Sequence, residues 1–252
     1  MNTTRSNGRS GNGNGKRLPI TLTAQEVEAL LVTVNTGSAT GLRNRAMLAT
    51  MLGAGLRVSE VLHLRAVDVD LSRGEVRVNE GKGGKDRVVP VNDEALGWLR
   101  AWNEKRASLG LNGRAPFFVG LREGATGSGY REHGQGLKPR YLQGLLKRLG
   151  EVAGIEKRVS PHILRHTYAT GLLDQGFNIR EVQTLLGHSN VATTQVYTHV
   201  NPEELRRKVQ GETKADEHPA VGEETLALML TTLLMGLPVE QRRAIAAKLG
   251  RE

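Results

Sequence analysis

The sequence predicts a mainly α domain carrying one small three-stranded antiparallel sheet, an α+β fold. Apolar residues recur at helical spacing through most of residues 23–209. Between residues 67 and 90 the spacing drops to every second residue, three times in succession. Glycine turns such as Gly53-Ala54-Gly55 and Gly81-Lys82-Gly83-Gly84-Lys85 separate the two regimes.

The first helix is announced by Thr23-Ala24-Gln25-Glu26, a capping box with Thr23 at N-cap and Glu26 at N3. Val27, Leu30, Leu31 and Val34 follow on one face. A second helix runs over 41–53, burying Ala46, Met47, Thr50 and Met51, and a glycine turn ends it. A short helix over 59–64 leads into strands at 67–71, 74–78 and 86–90. Residues 93–108 return to helix, and Phe117-Phe118-Val119 has the composition of a short strand. Residues 120–136 are glycine-rich, charged and aperiodic, which is a loop pattern. Helices resume over 139–153, 162–175, 179–186, 192–200 and 202–209.

These elements divide the chain into a Gly/Asn-rich basic lead at 1–17, a folded body at 18–210, a polar linker at 211–222 and an apolar helical segment at 223–252. The lead cannot bury anything and is expected to be disordered. The last segment is apolar nearly all round its first half, which predicts an oligomeric or partner contact.

Composition removes several function classes. No run reaches the roughly 18 apolar residues a membrane-spanning helix needs. No apolar stretch in the lead resembles a secretory signal, so a cytoplasmic location is expected. The absence of cysteine excludes disulfide frameworks, thiol nucleophiles and Cys-ligated zinc. The chain carries a formal charge of +9, concentrated in its first 210 residues while residues 211–252 are slightly acidic. A basic body of this kind points to a polyanion, of which nucleic acid is the commonest.

Three clusters mix apolar residues with polar ones that a core would not want. Gly55-Leu56-Arg57-Val58-Ser59-Glu60 places an arginine at a helix start. Ser160-Pro161-His162-Ile163-Leu164-Arg165-His166 puts His162 and Arg165 on one helical face. Leu185-Leu186-Gly187-His188-Ser189 is followed nine residues after His188 by Tyr197. The set lacks a carboxylate cluster for Mg²⁺, a Walker loop and a Gly-x-Ser-x-Gly elbow. Two guanidiniums and two imidazoles suit a phosphodiester in transition. Guanidinium forks bind its equatorial oxygens bidentately, and each preorganised donor is worth about 3–4 kcal/mol. With cations holding the phosphate, a tyrosine can serve as covalent nucleophile. Only four exist. Tyr130 falls in the loop, Tyr141 has apolar neighbours, Tyr168 has the pattern of a packed residue, and Tyr197 follows His188. His162 and His166 mimic a metal pair, but no acidic residue lies between them and Arg165 adds a cation; no metal or other cofactor is expected.

On these four stretches, with Gly81–Lys85 among them, the chain resembles the catalytic domain of the tyrosine recombinases, the phage-integrase family, in its Xer-like bacterial branch. The resemblance covers about residues 18–208 and implies that family's catalytic-domain fold. It implies that Arg57, Arg165 and His188 hold the scissile phosphate, with Glu60 supporting Arg57. His162 would act as acid and base around the hydroxyl of Tyr197, the nucleophile. Lys82 would protonate the departing 5′-oxygen, with Lys85 as the competing acid. The family's usual N-terminal helical clamp has no counterpart in the sequence, which predicts weak, salt-sensitive DNA binding. The implied activity is site-specific recombination without metal or ATP, by a homotetramer on DNA or with a partner recombinase. The alternatives are relaxation of DNA in the manner of a type IB topoisomerase, and a DNA-binding accessory relative without strand exchange.

Overall fold

A computed structural model describes residues 20–79, 86–111, 113, 115–121, 134–187 and 201–212. The chain divides into two units, residues 20–221 and a second made of 1–19 with 222–252; every described residue belongs to the first.

Helix α1 (Ala24–Val32) opens on the anticipated capping box. The Thr23 N–H donates to Glu26 at 2.7 Å and the Glu26 N–H donates to the Thr23 hydroxyl at 3.2 Å. Helix α2 (Ala39–Ala54) is the hub, because Ala46, Met47, Leu48 and Met51 leave it almost no exposed face over its second half. It packs against both α4 (Asp93–Ser108) and α6 (Pro161–Asp174). Helices α3 (Val58–His63), α5 (Pro139–Val152), α7 (Ile179–Leu186) and α8 (Pro202–Val209) complete the described helical set.

The sheet has order β1-β2-β3, with β1 at Val69–Asp70, β2 at Glu75–Val78 and β3 at Arg87–Pro90, all antiparallel. Val76, Val78 and Val89 turn to the core while Arg77 and Val88 turn out. Val78 pairs with Arg87, so the register puts the Arg87 side chain on the inward face. β1 is shorter than predicted. Residues Ala66–Asp68 wind into a 3₁₀ turn, held where the Asp68 carboxylate accepts the Arg65 N–H at 2.9 Å.

Phe117-Phe118-Val119 is not a strand. Only Pro116 and Val119 make isolated bridges, to Arg65 and Gly136. The two phenylalanine rings pack edge to face at 5.1 Å and both are buried. The Phe117 carbonyl is taken by Trp102 Nε1 at 2.9 Å, and the neighbouring carbonyls by Arg106, so side chains occupy the groups a ladder would use.

Candidate active site

The site is built where α2 stops. Gly55 caps the helix in the left-handed conformation at φ 61°, and a Cβ there would lie 2.2 Å from the Tyr168 ring. The chain then turns so that Arg57 becomes the N-cap of α3. An arginine side chain has no acceptor to cap with, so Glu60 at N3 takes over. Its Oε2 accepts the Arg57 backbone N–H at 2.8 Å and its Oε1 accepts Arg57 Nη1 at 2.7 Å. From the inward face of β3, Arg87 donates Nη1 to Oε1 at 3.0 Å and Nη2 to Oε2 at 2.9 Å. Burial alone would raise the Glu60 pKa. The bonds and charge of Arg87, then those of Arg57, outweigh it and hold the carboxylate down at about 2.

Arg165 enters from α6, a helix started by Pro161 at N1 and by Ser160, whose hydroxyl accepts the Ile163 N–H at 3.4 Å. It is buried, with Nη1 3.9 Å from Glu60 Oε2. Nη1 donates to the Gly55 carbonyl at 2.6 Å and Nη2 to the Leu186 carbonyl at 2.5 Å. Burial, reinforced by Arg57, pulls its pKa down to about 9, so it stays charged at neutral pH. Arg57 Nη2 reaches the next carbonyl, Gly187, at 3.4 Å. Two arginines far apart in sequence thus hold consecutive carbonyls of one turn, the turn that ends α7 with Gly187 at φ 66°.

His162 lies on α6 one turn before Arg165 and is exposed to solvent. Partial desolvation of the ring against its neighbours lowers its pKa, and the Arg165 charge lowers it further, which favours the neutral imidazole. His166 is pushed to about 4, chiefly by burial, and its Nδ1 has no hydrogen-bond partner among the described residues. That makes His166 a packed histidine. A polar groove of about 490 Å³ opens beside Arg57, lined also by Ser59, His63, Arg65, Arg77 and Asn79.

Of the residues singled out by sequence, the structure gathers Arg57, Glu60 and Arg165, and sets His162 beside Arg165. Lys82, Lys85, His188 and Tyr197 lie outside the described residues, as do Tyr130, the helix anticipated over 192–200 and the segment 223–252. Tyr168 is buried, as its pattern indicated. Tyr141 lies early in α5 among buried leucines, as its sequence neighbours indicated, and its hydroxyl donates to Asn44 at 3.0 Å and accepts from the buried Arg43. Sequence analysis missed Arg87 altogether. The signal was available, since strict alternation with inward Val89 places position 87 on the core face, where an arginine demands a carboxylate.

Two arginines gathered on one glutamate, in a helical domain with one small sheet, offer the charge-assisted fork geometry that suits an anion such as phosphate. The model of the phage integrase family matches residues 21–204, and the chain belongs to that family. It is 44% identical over 192 residues to tyrosine recombinase XerD of Ralstonia nicotianae, covering 75% of this chain and 59% of that relative. Among solved structures it is similar to XerA recombinase, with a TM-score of 0.59 and 32% identity over 76% of this chain and 64% of that one. It is also similar to XerH site-specific recombinase bound to its difH substrate in a pre-cleavage complex, with a TM-score of 0.54 and 27% identity over 76% of this chain and 54% of that one. The chain therefore spans about six-tenths of the length of such relatives.

Proposed function

We propose that the protein is a site-specific DNA recombinase that cuts and rejoins strands through a 3′-phosphotyrosyl intermediate. Its substrate is double-stranded DNA, and it works in the cytoplasm as an oligomer of its own copies or with a related recombinase. The observation that carries this reading is the shared anchoring of Arg57 and Arg165, on Glu60 and on the consecutive Leu186 and Gly187 carbonyls, immediately before His188 in the sequence.

Two guanidiniums match two non-bridging phosphate oxygens. Their charge stabilises the pentacoordinate transition state. His188 completes the phosphate contacts. His162, kept neutral at pH 7, takes the phenolic proton as the Tyr197 oxygen attacks phosphorus. The bond from phosphorus to the 5′-oxygen breaks, and that oxygen receives a proton from Lys82 or Lys85. The products are a 3′-phosphotyrosyl link and a free 5′-hydroxyl. Attack of a 5′-hydroxyl from a partner strand reverses the chemistry and frees the tyrosine. One phosphodiester is exchanged for another, so the cycle needs no ATP, and the side-chain cations supply the charge that a divalent metal would otherwise bring.

Nicked suicide duplexes of randomised sequence, incubated with the full chain in EDTA, test this. The expected result is a covalent protein–DNA adduct that Tyr197→Phe abolishes. An undiminished adduct in Tyr197→Phe, or an adduct requiring Mg²⁺, overturns it.

A further inference from the structure

Glu60 is an awkward residue for a phosphate pocket. Its carboxylate sits 2.7 Å from one phosphate-facing arginine and 3.9 Å from the other, and competes with an anionic ligand for both. Something must offset it. Arg87 spans the whole carboxylate, one Nη to each oxygen, in the bidentate geometry that only a planar fork provides. Three guanidiniums then surround one carboxylate, and the cluster keeps two formal positive charges for a ligand.

Arg87 also lies against the turn that ends α7. A Cβ added to Gly187 would stand 2.6 Å from Arg87 Nε and 2.7 Å from its Cζ. The guanidinium therefore packs directly against the residue whose carbonyl Arg57 holds, next to the one Arg165 holds. Only glycine fits both this contact and the φ of 66°. The same side chain touches the carboxylate and the turn that together orient the pair.

We propose that Arg87 is a positioning residue for the phosphate pocket, neutralising Glu60 so that the charge of Arg57 and Arg165 remains available to the scissile phosphate. Arg87 itself makes no contact with DNA in this scheme. It acts through the carboxylate, and so its loss should be curable by removing that carboxylate's charge. The proposal rests on the strand-cleavage reading above.

The test is a double-mutant cycle on adduct formation by the full chain, using the same pool of nicked suicide duplexes. Arg87→Met, which keeps the apolar stem, should slow adduct formation about 10–100-fold, the range for removing an outer partner of a functional group. Arg87→Lys, with one point donor for two oxygens, should fall between Arg87→Met and the unsubstituted chain. Adding Glu60→Gln to Arg87→Met should restore at least about tenfold of the lost rate. A merely structural Arg87 predicts the reverse, a double variant as slow as Arg87→Met or slower, and that result overturns the proposal. So does an Arg87→Met rate equal to that of the unsubstituted chain. Should Arg87→Met fail to fold, Arg87→Lys with and without Glu60→Gln decides by the same comparison. If the unsubstituted chain forms no adduct, the strand-cleavage reading fails; if it forms one and Glu60→Gln gives no rescue, only the role of Arg87 fails.

Discussion

Arg43 and Arg57 belong to the same stretch of chain, one inside α2 and one just past its end, yet their surroundings set them to different work. Arg43 is 2% exposed. It donates to the Val119 carbonyl at 2.7 Å, to Asn44 Oδ1 at 2.8 Å and to the Tyr141 hydroxyl, with its guanidinium 4.9 Å from the Tyr141 ring centre. These bonds join α2, α5 and the 115–121 segment. The Arg57 side chain is 34% exposed and is braced by an ionised glutamate at the head of a groove. A buried arginine met by neutral acceptors is structural cement, whereas one held from behind by a carboxylate can present charge outward.

The largest effect should come from separating these roles. Arg57→Ala and Arg165→Ala should each lower adduct formation about 10²–10³-fold, the cost of one preorganised donor. Arg43→Ala should leave the residual folded protein's cleavage nearly intact while costing about 2–3 kcal/mol of stability in urea unfolding, because Asn44 and the Val119 carbonyl lose a buried partner. Equal losses of cleavage at positions 43 and 57 would erase the distinction.

Next in size is the Gly187 contact. Gly187→Ala adds backbone strain at φ 66° and displaces the Arg87 guanidinium, so adduct formation should fall about tenfold with little change in the Arg43 cluster. Stopped-time gels with thermal melts as control would measure it.

Smaller still is the pH response. In the proposed mechanism His162 must be neutral to accept the phenolic proton, and its pKa lies below the ordinary 6.5. Cleavage should therefore hold on falling from pH 8 to 6.5 and drop only below that, as the imidazole protonates. His162→Gln should slow cleavage and flatten this acid limb. Glu60 stays ionised throughout, since its pKa is about 2. The contribution of its ion pairs to stability is complete above the unfolded value of 4.5 and fades as pH falls toward 2.

The smallest effect belongs to Tyr168. Its buried hydroxyl has no hydrogen-bond partner among the described residues, so Tyr168→Phe should leave adduct formation unchanged and stability within about 1 kcal/mol.

Much of this was legible in sequence where local chemistry decides the outcome. Helices α4, α7 and α8 begin and end at the residues their patterns predict, because Asn92, Asn178 and Asn201 each accept the N–H groups a helix start exposes. The pairing of Arg57 with Glu60 was legible for the same reason, being three residues apart on one turn. Phe117–Val119 was misread because β propensity measures fit to a half-buried surface, and Trp102 and Arg43 had already claimed the Phe117 and Val119 carbonyls. Arg87 was overlooked because strand alternation marks its inward face but not its partner, and Glu60 lies twenty-seven residues away. The partner of Tyr141 was out of reach for the same reason: its helical neighbours are apolar, but its hydroxyl answers to a helix almost a hundred residues earlier.

The most direct measurement is peptide mapping by mass spectrometry of the adduct trapped on a nicked duplex. A nucleotide joined through its 3′-phosphate to Tyr197 is the predicted result. The same mass on Tyr130, Tyr141 or Tyr168, or attachment through a 5′-phosphate, would contradict the account.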